Sequence, residues 1–240
     1  MSVLPYKDKE TSKREQVEEM FDNISPKYDL LNHLLSAGID VYWRKRAVSC
    51  LKGRPAKVIL DVATGTGDFA LEALKLKPEK IIGVDISEGM LRVGEEKIKK
   101  AGHEGIISFQ KASSESLPFA DNYFDAVIVS FGVRNFDNLE KGLREMHRVM
   151  NEQGTCVVME FSKPRSFPFK QLYNFYFRRI LPLIGRLVSK DTSAYTYLPD
   201  SVRAFPDGRK FLDIFERSGF KNTKCTQLTF GICSIYIGHK

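Results

Sequence analysis

The segment that most constrains this chain runs Val58-Ile59-Leu60-Asp61-Val62-Ala63-Thr64-Gly65-Thr66-Gly67-Asp68. An apolar, β-branched run leads into a glycine turn. The pattern Phe69-Ala70-Leu71-Glu72-Ala73-Leu74 then reads as a helix, so the unit is strand, turn, helix. A second strand, Ile81-Ile82-Gly83-Val84, ends in Asp85. Glycine lets the backbone pass close to a ligand because it has no Cβ, and the helix after the turn offers free N–H groups. A carboxylate closing the next strand, here Asp85, accepts hydrogen bonds from a ribose diol. The ligand expected at this turn is a nucleoside.

Two nucleoside cofactors suit the layout. Read as Gly65-x-Gly67-x-x-Ala70, the turn matches the dinucleotide fingerprint, whose third glycine is sometimes alanine. Asp61, ahead of the turn, favours the other one. Its carboxylate would repel a pyrophosphate but attracts the sulfonium and ammonium groups of S-adenosylmethionine. An acid, small residues, Gly-x-Gly and a second acid on the next strand resemble the first motifs of the Rossmann-like methyltransferases. The plain alternative is an ordinary βαβ turn with surface acids.

The 240 residues suffice for one substantial α/β domain, and 42% hydrophobic with 28% charged residues is ordinary for a globular protein. No apolar run approaches the roughly 20 residues that span a bilayer, and the first ten residues lack the apolar core of a signal peptide. Cys50, Cys156, Cys225 and Cys233 form no CxxC pair, and the histidines at 33, 103, 147 and 239 are scattered. No metal site is expected, and reduced cysteines in a cytoplasmic protein are. The net charge of +7 is local. Phe161 to Lys190 holds no acid but Lys163, Arg165, Lys170, Arg178, Arg179, Arg186 and Lys190, interleaved with aromatics. A basic, greasy stretch suits an anionic lipid surface or a nucleic acid.

Residues 1–50 read as a helical cap without strands, Ser25-Pro26 marking a helix start. Residues 51–160 alternate strand and helix as a cofactor-binding core. Strands are expected near Lys57–Asp61, Lys80–Asp85, Ile106–Gln110, Ala126–Ser130 and Gly154–Phe161, and helices near Gly67–Lys75, Glu88–Lys100 and Leu139–Met150. This alternation implies a parallel sheet with right-handed crossovers. Residues 161–206 break the alternation and read as an inserted lid or substrate segment. A helix over Asp207–Ser218 and a strand pair, Thr223–Thr229 and Ile232–Gly238, close the chain. That terminal antiparallel pair departs from a plain dinucleotide fold and suits a class I methyltransferase. If Leu172–Val188 is helical, Leu172, Tyr176, Ile180, Leu183 and Leu187 share one face and the arginines another, as in an interfacial helix, although Pro182 would interrupt it. A lid packing that face on its own core is the alternative.

Four further motifs, in order, resemble the ubiquinone/menaquinone biosynthesis C-methyltransferases over nearly the whole chain. They are Tyr28-Asp29-x-x-Asn32-x-x-Leu35-Ser36 followed by Trp43; Ser130-Phe131-Gly132-Val133-Arg134-Asn135; Arg148-Val149-Met150 through Gly154 to Met159-Glu160-x-Ser162; and Tyr197-Leu198-Pro199-x-Ser201-Val202-x-x-Phe205-Pro206. The chain departs from the family pattern at Leu31, Asp40, Thr64 and Asn151-Glu152-Gln153, and at Ser113, where an acid or Asn commonly meets adenine. The resemblance implies a class I S-adenosylmethionine-dependent fold, an α/β Rossmann-like seven-stranded sheet with a terminal antiparallel hairpin.

The resemblance also implies methylation of a ring carbon on a polyprenylated quinol, demethylmenaquinol ahead of the benzoquinol of ubiquinone biosynthesis. An RNA acceptor, a membrane-associated scaffold without turnover and an NAD oxidoreductase are the competing readings. Arg134, just past the fourth strand, is the candidate donor to the developing phenolate; Asn135 would orient a ring oxygen or water. Tyr28 and Asn32, four apart, would close the cap over the site. Asp61, Gly65, Thr66 and Gly67 should line the methionine half, Asp85 the ribose, and Ser113 and Ser114 the adenine; the resemblance adds Ser130. Asp29 and His33 form an adjacent i,i+4 pair without an assigned role, His147 should lie on a solvated helix face, and Glu160 near the substrate. Peripheral contact with an anionic membrane at the inner face of the plasma membrane, a quinone-biosynthesis complex or homodimer, and no nucleic-acid partner complete the expectations.

Overall fold

The computed structural model of the chain describes residues 3–36, 38–176, 179 and 193–240, without the side chains of residues 31, 33–35, 193 and 195. Seven strands form one sheet: β1 (Val58–Val62), β2 (Lys80–Asp85), β3 (Ile107–Lys111), β4 (Phe124–Ser130), β5 (Met150–Phe161), β6 (Lys221–Leu228) and β7 (Cys233–His239). Their order is β3-β2-β1-β4-β5-β7-β6, and β7 runs antiparallel to both neighbours. The reason is connection length. Only residues 229–232 join β6 to β7, and so short a link can only turn a strand back on its neighbour. The parallel strands are spaced by α4 (Asp68–Ala73), α5 (Glu88–Lys100) and α6 (Leu139–Val149), following α1 (Lys13–Ile24), α2 (Tyr28–Ser36) and α3 (Ile39–Ser49). Beyond the sheet's first five strands come α7 (Phe169–Phe175), α8 (Ser193–Ala204) and α9 (Arg209–Arg217).

Successive strand side chains point to opposite faces, and both faces are covered. Leu60, Val62, Val127 and Val129 pack with Leu143 and Met146 of α6 and Phe211 and Phe215 of α9. Ile59, Ala126 and Ile128 pack with Trp43 and Ala47 of α3 and Phe69 and Ala70 of α4. This two-sided burial explains why β1 and β4 read as continuous apolar runs. Helix starts follow local chemistry. Ser12 and Glu15 form a reciprocal capping box on α1, and Ser87 and Asn138 cap α5 and α6.

The first three helices carry no strand and are fastened to the core by polar contacts. Asp22 accepts from Ser87 Oγ at 2.6 Å and from the Gly89 N–H at 2.9 Å. Glu18 pairs with Lys111 at 2.8 Å. Trp43 Nε1 donates to Thr229 Oγ1 at 2.7 Å, which ties α3 to the terminal hairpin.

Several expectations shift. β4 and β5 begin earlier than their apolar runs suggest, because Phe124 pairs with Met150 across an irregular register. Asn151-Glu152-Gln153, turn-like in composition, belongs to β5, with Asn151 Nδ2 bonded to Asp125 at 2.7 Å. His147 does not lie on a solvated face: its ring meets Phe220 edge-on at 5.2 Å, under the turn that follows α9. A local pattern has no means of showing that the turn after α9 covers α6. α7 ends at Phe175, and residues 180–188 of the expected interfacial helix lie outside the described residues.

Three glycines form a slot for one ring. A Cβ on Gly67, Gly83 or Gly94 would come within 2.6, 2.5 or 2.7 Å of Phe109. Gly67 therefore serves packing as well as the turn, where its φ of +82° suits glycine. Because Gly83 has ordinary strand backbone, Gly83→Ala isolates the steric effect. It is expected to lower unfolding free energy by about 1–3 kcal/mol in urea denaturation, and Phe109→Leu in the same chain should recover part of the loss. An unaltered midpoint in Gly83→Ala would rule out the slot.

Candidate active site

Between β1 and β4 the strand order reverses, and open α/β sheets place ligands in the crevice at such a point. The turns leaving both strands are strained: Ala63 and Phe131, neither a glycine, have φ of +53° and +57°. Two cavities open here. The smaller, about 70 Å³, is lined by Gly65, Asp85, Ser113, Ser114, Ser130 and Asn135, with Arg14 and Val17 of α1. The larger, about 490 Å³, is mainly aromatic and aliphatic. Phe21, Tyr28 and Phe131 line both.

Two buried carboxylates stand near the ends of β1 and β2, and one of them, Asp85, lines the smaller cavity. Asp85 Oδ2 accepts from the Gly65 N–H and Oδ1 from the Ser87 N–H, each at 2.9 Å. Burial raises its pKa, and those backbone donors oppose the rise. Asp61 is fully buried. Thr64 Oγ1 donates to its Oδ2 at 2.7 Å, while Oδ1 has no partner. Burial, more than the charge of Asp85, pushes Asp61 up to about 7. An unpaired, buried carboxylate oxygen is costly and calls for a donor or cation.

The sequence-predicted residues divide. Gly65, Asp85, Ser113, Ser114 and Ser130 come together around the smaller cavity. Thr66 and Gly67 line neither: the Thr66 hydroxyl is bonded to Asp29 on α2, and Gly67 packs on Phe109. Asp61 also lines neither, and bears on the site as the orphaned buried charge. Asn135 belongs to the smaller cavity and not to the larger one, where a ring-orienting residue would sit. Tyr28 and Asn32 share a face of α2 and line the larger cavity. Asp29 pairs with Lys97, and the side chain of His33 lies outside the described residues.

Arg134 lines the larger cavity from the turn after β4. Its partner is Glu160, at the end of β5: Nη1 lies 2.8 Å from Glu160 Oε1, with Arg134 8% and Glu160 0% exposed. Nη1 also donates to the Phe131 carbonyl, and Nε is buried without a partner. Burial pushes the Glu160 carboxyl up, and Arg134 opposes this. Phe131 and Phe161 stack at 4.4 Å beside Trp43 to form an aromatic wall.

Sequence reasoning missed part of the lining. Ser36, Asp40 and Arg44 place a polar group at one end of the apolar cavity, with Ser36 Oγ 2.5 Å from Asp40 and Arg44 paired to Asp40. Their four-residue spacing was the available signal. Tyr173 and Tyr197, from α7 and α8, also line it; Tyr197 opens the fourth motif but was given no role there, and Tyr173 belongs to no motif.

Residues 9–240 match the model of the ubiE/COQ5 methyltransferase family. A demethylmenaquinone methyltransferase of Bacteroides fragilis is 50% identical over 239 residues, covering 99% of this chain and 97% of that protein. The demethylmenaquinone methyltransferase of Porphyromonas gingivalis is 43% identical, with 99% and 98% covered. A ubiquinone/menaquinone biosynthesis C-methyltransferase UbiE of Geotalea uraniireducens is 49% identical over 232 residues, with 96% and 98% covered. A solved SAM-dependent methyltransferase from Thermotoga maritima shares the fold, with a TM-score of 0.67 at 21% identity over 92% of this chain and 99% of that one. With a match that runs almost end to end and relatives near half identical over the same span, the chain belongs to the ubiE/COQ5 methyltransferase family.

Proposed function

We propose that the chain transfers a methyl group from S-adenosylmethionine to a ring carbon of a polyprenylated quinol, demethylmenaquinol ahead of the equivalent benzoquinol. The observation that carries this is the pair of adjoining cavities, one small and edged by carboxylates and serines, the other large and apolar, with Tyr28 in the wall of both. The preference for the naphthoquinol draws on the Bacteroides and Porphyromonas relatives, which are demethylmenaquinone methyltransferases.

The residues fit the donor. Asp85 keeps lone pairs beyond those used by Gly65 and Ser87 and would take the ribose diol. Asp61 would balance the donor's positive charge, as its unpaired Oδ1 invites, and Ser113 and Ser114 would lie along the adenine edge. When bound, S-adenosylmethionine supplies an electrophilic methyl group.

The protein's own task is to make a ring carbon nucleophilic. A hydroquinone hydroxyl, like that of tyrosine, holds its proton to about pH 10, and burial alone would raise that further. Arg134 opposes the rise. Burial lifts the hydroxyls of Tyr28, Tyr173 and Tyr197 around this cavity, and in each case the charge of Arg134 pulls the other way. A quinol oxygen in the same cavity would feel the same field, which stabilises the developing phenolate. Glu160 holds the guanidinium in place, and the aromatic wall excludes water and orients the ring.

An exposed aromatic patch that includes Leu172 and Phe230 of the cavity lining points to where the substrate is collected. Phe167 and Phe230 are 80% and 63% exposed, and Leu172 and Phe175 are also exposed. Phe230 stacks on Phe169 at 3.7 Å. Arg165 and Lys170 lie among them in sequence and are exposed. Exposed aromatics with basic neighbours suit the surface of an anionic bilayer. No helix among the described residues is long and apolar enough to cross one.

Three outcomes are expected. Arg134→Met should lower kcat by about 10²- to 10³-fold in a methyl-transfer assay with reduced demethylmenaquinone, with donor affinity kept; full kcat would remove Arg134 from the chemistry. Affinity for S-adenosylmethionine should fall as pH drops through about 7, because protonated Asp61 no longer attracts a cation and binding must expel that proton. Calorimetry in buffers of different ionisation enthalpy checks this, and Asp61→Asn should bind weakly with a flat profile. Phe167→Ser with Phe175→Ser should weaken sedimentation with anionic vesicles while turnover of a short-tailed, soluble quinol stays at the parent rate. Undiminished vesicle binding would place the membrane surface elsewhere.

A further inference from the structure

Asp29 adjoins Tyr28 on α2 but lines neither cavity. Its carboxylate instead meets the cofactor-binding core. The Thr66 hydroxyl donates to Oδ1 at 2.5 Å, and Nζ of Lys97 on α5 lies 2.5 Å from Oδ2. Lys97 also donates to Thr66 Oγ1 at 3.0 Å and to Asp68 Oδ1 at 2.8 Å. Asp68 in turn lies 3.3 Å from Arg44 of α3. One ammonium thus joins two carboxylates and a hydroxyl drawn from three elements and the glycine turn.

The position of this cluster gives it leverage. Thr66 stands between Gly65, whose N–H is bonded to Asp85, and Gly67. Tyr28 Cε1 comes within 3.8 Å of where a Cβ on Gly65 would stand, so the seat of α2 sets the space over the turn. Asp29, Lys97 and Asp68 are 29%, 24% and 25% exposed, shielded enough for the pairing to exceed an ordinary surface ion pair. Without the ammonium, Asp29 would lose its only cation partner in the cluster and face Asp68 across the gap, and like charges would push α2 off the turn.

We propose that Asp29 and Lys97 are positioning residues that form an ionic clasp. The clasp fastens α2, with Tyr28 and Asn32, onto the glycine turn, so that the donor site and the acceptor cavity close as one unit. This rests on the methyltransferase reading above. The clasp acts through Tyr28 and Gly65 and touches no reactant.

The test compares Lys97→Met, Lys97→Arg, Asp29→Asn and the Lys97→Met/Asp29→Asn double variant in the full chain. Affinity for S-adenosylhomocysteine is read by calorimetry, and kcat and KM with a short-tailed demethylmenaquinol. Lys97→Met should weaken nucleoside binding about tenfold, the effect expected for losing a charge-assisted contact, and should raise the quinol KM as well, although no reactant touches residue 97. Lys97→Arg should restore most of both. The double variant should bind better than Lys97→Met, because neutralising Asp29 removes the repulsion, a non-additivity that mere loss of packing does not give. Unchanged affinity and KM in Lys97→Met, equal losses in the Met and Arg variants, or simple additivity would each overturn the clasp. If Lys97→Met does not fold, Thr66→Val takes its place. It removes only the hydroxyl link and should raise the Kd several-fold, and an unaltered Kd overturns the proposal. A parent protein that binds no S-adenosylhomocysteine would instead overturn the methyltransferase reading. A parent that binds it, with variants that match, sinks the clasp alone.

Discussion

Two neighbouring strands of a parallel sheet, β1 and β4, send their chains away in opposite directions, and the gap between their ends is where everything functional gathers. The chain turns out of each strand through a left-handed residue, Ala63 or Phe131, that is not glycine. Such conformations persist only where the surroundings hold them. Phe131 is held by stacking on Phe161 and by the Trp43 ring. Ala63 is held by β1 and the glycine turn, with the Thr64 N–H bonded to the Val84 carbonyl. Phe131 lines both cavities and Ala63 the smaller one.

The helices before the sheet complete what the sheet cannot. A crevice at strand ends is open to water on its far side, where a charge on Asp61 or a phenolate would be solvated. Phe21 and Tyr28 close it, and they also divide it into a polar and an apolar part. Separate compartments let one small chain hold a polar nucleoside and a greasy ring side by side. The polar contacts of Asp22, Glu18 and Asp29 to the core keep that division in place.

How much of this is legible in the sequence depends on the range of each signal. The sheet core was readable because burial on both faces makes apolar runs, and helix caps such as Ser87 are local. Asp85 and Gly65 were readable because a strand-turn-helix unit fixes where they point. The second task of Gly67 and Thr66 was not legible: motif spacing shows neither the ring of Phe109, 42 positions along the chain from Gly67, nor the bond from Thr66 to Asp29. His147 was misjudged, and the start of β5 at Asn151 missed, for the same reason: the turn after α9 and Asp125 reach them from afar. Arg134 was found by motif, yet its partner Glu160 was not paired with it, because the two meet only when β4 and β5 lie side by side.

The pairing of Arg134 with Glu160 has a consequence for which carbon reacts. A lone guanidinium would act as a point charge, felt on both edges of a ring in a dry cavity. A guanidinium joined to a carboxylate is closer to a dipole, whose field falls faster with distance and has a direction. An oxygen on the guanidinium side gains support as it ionises, while the oxygen across the ring gains little. Electron density then rises at the carbons ortho and para to the first oxygen, and since the para carbon bears the other oxygen, an ortho carbon is the one open to methylation. In the proposed reaction the ion pair would convert the orientation of a bound quinol into regioselectivity.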